Sequence, residues 1–103
     1  MKFAASHHRN DAAHAQICDA LRNLGFSVQS LASIGGGVPD VLAGMAGRNF
    51  LLEIKTDKAK LNETQTAWHD SWRGQGAVIR GVDDAIKWAT STRVRVWREG
   101  GEE

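Results

Sequence analysis

The sequence contains almost none of the features that mark secreted or membrane proteins. Its only cysteine is Cys18, which excludes an internal disulfide and a cysteine-rich zinc site and favours a reducing compartment. No run approaches the roughly 20 apolar residues of a membrane-spanning helix. The N-terminal MKFAASHHRND also lacks an apolar stretch of signal-peptide length. We therefore expect a cytoplasmic protein that does not enter a membrane.

An excess of charge of either sign is also absent. The chain carries 13 basic and 12 acidic residues, a formal net charge of +1, which neither requires nor excludes a nucleic-acid partner. Basic residues are concentrated in two segments, at 48–60 and 93–98. Charge alone favours solvated surface over nucleic-acid binding for both segments.

The length of 103 residues is that of one domain. We expect a single domain over residues 1–103, with its core in about residues 10–90. Apolar spacing and turn residues predict helices at 10–24, 62–73 and 84–90, and strands at 26–31, 40–44, 49–55 and 77–79. Residues 93–98 are a candidate for a last edge strand. This order is typical of an α/β fold in which a mixed β-sheet is flanked by helices.

Each predicted helix has a polar residue suited to cap its start and an apolar face to bury. The caps are Asn10, Asn62 and Asp83. In the second helix Trp68 and Trp72 share a face with Gln65, and burial against the sheet is favoured over a role as a base-stacking platform. In the third helix Ile86 and Ala89 are expected to face the core.

The two central strands form a hairpin whose register can be worked out by arithmetic. If Ala46 and Gly47 make a two-residue turn, paired positions sum to 93. Asp40 then lies opposite Glu53, and Lys55 is on the same face because side chains alternate along a strand. A three-residue turn would instead scatter these charged groups.

Opposed carboxylates on neighbouring strands repel each other unless something neutralises them. A bound Mg²⁺ or Mn²⁺ would do so, since both ions accept oxygen ligands and commonly act beside phosphates. A surface salt bridge from Lys55 to Asp40 or Glu53 is the ordinary alternative. The metal site is favoured because these charges lie in the most apolar part of the sequence, where an idle charge is costly.

Pro39-Asp40 followed by Glu53-Ile54-Lys55 resembles the PD-(D/E)XK signature of metal-dependent nucleases. The surrounding GVPDVLAG and FLLEIKTDKAKLNETQTAWHDSWRGQGAVIRGVDDAIKWA are similar to the VRR-NUC branch of that superfamily. That branch has a helix, a GxPD loop, an ExK strand, a helix with glutamine near its start, then a strand and a short helix. The resemblance covers about residues 10–90 and implies a restriction-endonuclease-like core.

The resemblance implies a role for each matching residue. Asp40 and Glu53 would be the metal ligands of the catalytic site, with the backbone carbonyl of Ile54 as a third ligand. Lys55 would be the catalytic lysine. Gln65 falls at the position of the family's active-site glutamine, although a polar residue near a helix start is usually solvated.

Two further features leave their role open. The first helix of such nucleases usually supplies another acid, and Asp11 is the candidate for it. Asp11 equally suits the first turn of a helix, where it would complement the helix dipole. Gly35, Gly36 and Gly37 would allow a phosphate backbone to approach closely, and a plain flexible loop explains them as well.

The resemblance predicts a metal-dependent DNA endonuclease that hydrolyses phosphodiester bonds with Mg²⁺ or Mn²⁺. Stand-alone VRR-NUC members resemble junction resolvases, so we expect branched or junction DNA as the substrate and a homodimer as the active form. The alternative is a nucleic-acid-binding module of the same fold without catalysis. Metal binding would separate these two hypotheses.

Overall fold

The computed structural model describes residues 2–56 and 58–100, and for residues 2–11 it describes the backbone alone. The elements follow in the order α1 (Lys2–Asn23), β1 (Ser27–Ser30), β2 (Val41–Met45), β3 (Arg48–Ile54), α2 (Glu63–Ser71), β4 (Gly76–Ile79) and α3 (Val82–Gly100). The predicted α-β-β-β-α-β-α order is therefore confirmed. No helix within these ranges has both the length and the apolar content needed to span a membrane.

The four strands form one mixed sheet in the order β1-β2-β3-β4. Strands β1, β2 and β3 are antiparallel neighbours, and β4 is parallel to β3. Met45 pairs with Arg48 and Val41 with Leu52, so the predicted register is confirmed. Ala46 and Gly47 both have positive φ, 53° and 78°, as the turn with the best twist for a two-residue hairpin requires.

The core lies on one face of the sheet, where α1 and α3 cover it. Alternate residues of the hairpin, Val41, Ala43, Phe50 and Leu52, are buried there with residues of both helices. Phe26, Phe50 and Trp88 pack with ring centroids 5.3–6.4 Å apart. The hairpin residues between these alternate ones therefore face the other side of the sheet, where α2 lies.

Helix α1 begins at Lys2, eight residues before the predicted start. The prediction that Asn10 caps this helix is therefore wrong, because position 10 lies within it. The segment before Asn10 contains no glycine or proline to stop a helix. Asp11 is not in a first turn either, so the helix-dipole explanation for it does not hold.

Helix α3 continues through residues 93–98, so the predicted edge strand is wrong. In this segment Val94 and Val96 alternate with arginines. That pattern also fits a helix that buries one of the two valines and exposes the other. Buried Ala85, Ala89, Thr92 and Val96 recur at helical spacing. Ile86 is 41% exposed, which contradicts its predicted core position, whereas Ala89 is buried as predicted.

The start of α3 also differs from the prediction. The helix begins at Val82, and the amide of Ala85 donates to the carbonyl of Gly81, so Asp83 lies inside the first turn and does not cap it. Asp84 accepts a hydrogen bond from the amide of Arg80 at 2.7 Å. This contact fixes the chain where β4 leads into the helix.

Helix α2 has its predicted start at Asn62, which forms a capping box with Gln65. It ends at Ser71, slightly before the predicted end at 73. The expected burial of its apolar face is wrong, since none of its residues is buried. Trp68 and Trp72 stack on each other with centroids 4.7 Å apart, and Trp72 is 44% exposed. The two rings pack together without entering the core.

Candidate active site

The two predicted carboxylates meet at the end of the hairpin opposite its turn. Asp40 immediately precedes β2, and continuing the register by one step places it opposite Glu53. The Oδ2 atom of Asp40 accepts a hydrogen bond from the backbone amide of Ile54 at 2.9 Å. This bond ties the loop before β2 to the end of β3, so the hairpin itself positions the pair.

Glu53 is a buried carboxyl group, with only 2% of the residue exposed. Its pKa is raised from 4.5 to about 8, chiefly because burial disfavours the charged form. The charge and the proximity of the Asp40 carboxyl group raise it further, whereas the positive charge of Lys55 lowers it. The two carboxylates therefore repel each other when both are charged, and a bound proton or cation would remove that repulsion.

One oxygen of Glu53 has no hydrogen-bond partner among the side chains that the structure describes. Its Oε1 atom is buried, forms no hydrogen bond and lies 4.0 Å from Nε2 of His69. That nitrogen is also buried and also lacks a hydrogen-bond partner. Native proteins leave few buried polar atoms unsatisfied, so two such atoms facing each other mark an unusual site.

Gln65 contacts the site directly. Its Nε2 donates to Oε2 of Glu53 at 3.3 Å, and its Oε1 accepts from the backbone amide of Asn62 at 3.0 Å. The amide of Gln65 in turn donates to the side chain of Asn62 at 2.8 Å. The capping box that starts α2 thus also orients Gln65 toward the carboxylate, where the resemblance placed it.

Lys55 follows β3 directly and is half-buried. Its backbone amide donates to the carbonyl of Ile79, and its carbonyl accepts from Nη1 of Arg80 at 3.3 Å. The same Nη1 also donates to the carbonyl of Ala59. Strand β4 and the arginine that follows it therefore hold the backbone of Lys55 on both sides.

The sequence reasoning missed His69 and Arg80. His69 lies four residues after Gln65, on the same face of α2, which is a signal that helical spacing could have provided. Ile54 pairs with Ile79 in the parallel ladder, so Arg80 stands beside Lys55 at one edge of the sheet. That neighbour could have been found only after predicting that β4 pairs with β3 in this register.

The glycine-rich loop approaches the first turn of α2. A Cβ atom on Gly37 would lie 2.6 Å from the carbonyl oxygen of Thr64, and Gly37 has a φ of 83°, so no other residue fits there without movement. Gly35 and Gly36 also have positive φ but face open space. Gly37 therefore has a packing role, and the predicted phosphate contact stays a prediction for this loop.

The side chain of Asp11 lies outside the described residues, so its part in the site stays a prediction. Position 11 is on the same face of α1 as Cys18, two helical turns later. Burial raises the pKa of the Cys18 thiol, Arg22 opposes that rise, and the charges of Asp19 and Asp40 add to it.

The donor set fits a hard divalent cation. Asp40 and Glu53 offer carboxylate oxygens, Oε1 of Glu53 has no partner, and Mg²⁺ usually takes one or two carboxylates and keeps several waters. Among the side chains that the structure describes, those of residues 12–56 and 58–100, no three acidic, histidine or cysteine residues form a metal-holding group. Water or further oxygen ligands would therefore have to complete the coordination shell.

Comparisons with known proteins agree with this geometry at the level of fold. No family model matches the sequence, and no curated protein matches it significantly. A solved structure described as a VRR_NUC domain is similar with a TM-score of 0.64 and 20% identity, over 77% of this chain and 91% of that chain. This chain therefore has the fold of a VRR-NUC domain, with the PD-(D/E)XK-like core that its motifs predicted.

Proposed function

We propose that this protein is a metal-dependent DNA endonuclease that hydrolyses phosphodiester bonds in an active site formed by Asp40 and Glu53. The observation that carries the proposal is the buried carboxyl of Glu53, with its pKa raised to about 8 beside Asp40. Perturbed carboxyl pairs of this kind are concentrated at functional sites. If the pair had only a structural role, replacing one acid by a neutral residue would raise the stability of the fold.

Mg²⁺ or Mn²⁺ is the cofactor that this pair suits. Asp40 and Glu53 would hold it, together with the backbone carbonyl of Ile54, and Asp11 is a further candidate ligand. When bound, such an ion supplies Lewis-acid polarisation of the scissile phosphate. Its positive charge would also remove the repulsion between the two carboxylates, so binding should release the proton that Glu53 holds near neutral pH.

Lys55 and Gln65 would act on the substrate side of the site. The ammonium group of Lys55 would stabilise negative charge that develops on the phosphate, since a fixed cation in a partly buried site contributes most in the transition state. Gln65 already donates to Oε2 of Glu53, so it would hold that one oxygen in place and help to orient the nucleophilic water.

DNA is the proposed substrate, and branched or junction DNA is its proposed form. Both proposals rest on the family resemblance, as does the homodimer, which would present two sites to the two strands of a junction. The protein's near-neutral net charge of +1 makes recognition of DNA shape more plausible than attraction to DNA of any kind.

The test is a cleavage assay on linear, flap and four-way-junction DNA in Mg²⁺, in Mn²⁺ and in chelator. We expect cleavage with either ion, none in chelator, and the highest rate on junction DNA. Asp40→Ala should remove the activity while the protein stays folded. Binding of DNA without cleavage under every condition would favour the binding module instead, and neither binding nor cleavage would reject both hypotheses.

A further inference from the structure

Helix α2 presents two polar side chains to the two oxygens of the same carboxylate. Gln65 and His69 are one helical turn apart and therefore on one face. The amide of Gln65 donates to Oε2 of Glu53 at 3.3 Å, while Nε2 of His69 lies 4.0 Å from Oε1. The first contact is a hydrogen bond, and the second is about 1 Å too long to be one.

The environment of His69 keeps its imidazole near Glu53. Its side chain is 17% exposed, and its ring packs edge-on against Trp68 with centroids 5.1 Å apart. Both Nε2 of His69 and Oε1 of Glu53 are buried without a hydrogen-bond partner among the described side chains, and an unsatisfied buried polar atom lowers stability. We therefore expect these two atoms to form a hydrogen bond in another state of the protein.

A single hydrogen bond does not fix a glutamate carboxylate. The terminal torsion of glutamate is broad, so the plane of its carboxyl group can turn about a bond made at Oε2 alone. A second donor at Oε1 would fix that plane. Carboxylates that bind metals are in general held by hydrogen bonds of this kind, and the donors often come from neighbouring elements.

We propose that His69 is a positioning residue that donates a hydrogen bond from Nε2 to Oε1 of Glu53 in the metal-loaded protein. Gln65 and His69 then hold the carboxylate at both oxygens and fix its orientation toward the ion. The required movement is about 1 Å, which a small rotation of the imidazole provides. The inference rests on the proposed metal-dependent function of Asp40 and Glu53.

A purely structural histidine would behave differently from a positioning one. Without metal the imidazole makes no hydrogen bond to Glu53, so its loss should not lower the melting temperature of the metal-free protein, and His69→Leu should raise it slightly because it removes an unsatisfied buried nitrogen. Its loss should instead weaken metal binding. Glutamine also carries an N–H donor, so His69→Gln should recover much of the binding that His69→Leu loses.

The experiment is a calorimetric titration with Mn²⁺ of the wild type, His69→Leu, His69→Gln and a control. The control is Asp70→Asn, which changes the exposed neighbour on the same helix. We expect His69→Leu to weaken Mn²⁺ binding by on the order of tenfold to a hundredfold. The control should bind Mn²⁺ as tightly as the wild type does. The Mn²⁺ affinity of His69→Gln should be close to that of these two proteins. In chelator, none of the variants should melt at a lower temperature than the wild type.

The outcomes separate this inference from the proposed function. If His69→Leu binds Mn²⁺ like the wild type, while Asp40→Ala does not bind it, the positioning role is wrong and the metal site stands. If the wild type itself does not bind Mn²⁺, both proposals fail. Should His69→Leu be unfolded in chelator, His69→Phe takes its place, and equal destabilisation by that variant would make His69 a structural residue.

Discussion

Glu53 is the residue whose chemistry the fold perturbs most clearly. Its carboxyl has a pKa of about 8 in the folded protein and an ordinary value near 4.5 when unfolded. The folded state therefore binds the proton more tightly. The stabilisation that follows is fully present below pH 4.5 and is lost as the pH rises through 8. In the absence of metal, the protein should be less stable at pH 8 than at pH 5.

We predict that Glu53→Gln removes most of this pH dependence. In chelator, the free energy of unfolding of the wild type should fall by on the order of a few kcal/mol between pH 5 and pH 8, because the buried carboxyl ionises. The glutamine variant cannot ionise there and should show a flatter profile. Urea titrations at both pH values measure the difference. Parallel profiles for the two proteins would show that Glu53 is not the perturbed group.

Lys55 should matter for turnover more than for DNA affinity. It is one of 13 basic residues, so its share of phosphate attraction is small, and its effect should appear when charge develops in the transition state. We predict that Lys55→Ala lowers the cleavage rate by on the order of a hundredfold. Binding in Ca²⁺ and cleavage in Mg²⁺ are measured on the same DNA.

Lys58→Ala is the matched control for Lys55, because it removes an exposed lysine three residues later. It should cleave at close to the wild-type rate. If Lys55→Ala also cleaves like the wild type, the salt-bridge explanation for the charged residues of the hairpin should be adopted instead.

Two elements, β3 and β4, place Lys55 through their parallel pairing. Arg80 follows β4 and donates to the carbonyls of Lys55 and Ala59, and the amide of Arg80 is itself held by Asp84 at the start of α3. The arginine thus links the beginning of α3 to the chain after β3. Its loss should loosen the position of Lys55 without disturbing the core, because Arg80 is exposed.

We predict that Arg80→Gln lowers turnover, by up to about a hundredfold if Lys55 shifts by 1 Å. Amide exchange at Lys55 and Ala59 should become faster, whereas exchange in the core strands should not change. Arg93→Gln removes an equal charge from the exposed surface of α3 and serves as the control. Unchanged exchange at both amides would show that Arg80 does not anchor this part of the chain.

The elements also show what the sequence could and could not reveal. The hairpin was predictable because a two-residue turn and strict alternation leave one register that buries its apolar face. The second half of α3 was not, because alternating Val94 and Val96 satisfy a strand as well as a helix. Helical spacing placed Trp68 and Trp72 together, but spacing cannot say whether two such rings enter the core or, as here, stack on each other outside it.

The candidate site divides in the same way. Asp40, Glu53 and Gln65 were placed together correctly, because strand register and a helix cap are local features of the sequence. His69 and Arg80 entered only with the structure. Their contacts depend on how α2 lies over the sheet and on how β4 pairs with β3. Such packing between separate elements is decided by the whole chain, and spacing within one element does not encode it.

On the scale of the whole molecule, the apolar surface of α3 is the candidate dimer contact. Val94 and Trp97 are 47% and 69% exposed, and Ile86 lies on the same side of the helix. Val96, in the same stretch of the helix, is buried in the core and cannot take part in this contact. Arg48 pairs with Glu99 at 2.6 Å, so the end of α3 lies beside the hairpin turn, away from Glu53.

We predict that the protein is a homodimer and that Trp97→Glu dissociates it, because a charge would replace a large apolar side chain that is 69% exposed. Sedimentation velocity over a range of concentrations, with and without DNA, measures this. Ser91→Glu introduces the same single charge at an exposed position of α3, about 120° around the helix from Trp97, and should leave the dimer intact. A wild-type monomer at high concentration would refute the dimer and leave the proposed nuclease site unaffected.

Asp40 and Glu53 are proposed to form a metal-dependent hydrolytic site. The most direct test is the single-turnover rate of junction-DNA cleavage as Mn²⁺ is titrated, measured for the wild type and for Asp40→Ala. We predict a rate that rises to saturation for the wild type and stays at background for the variant at every concentration. Equal cleavage by both proteins, or a folded wild type that cleaves no DNA at any Mn²⁺ concentration, would show that Asp40 and Glu53 do not form such a site.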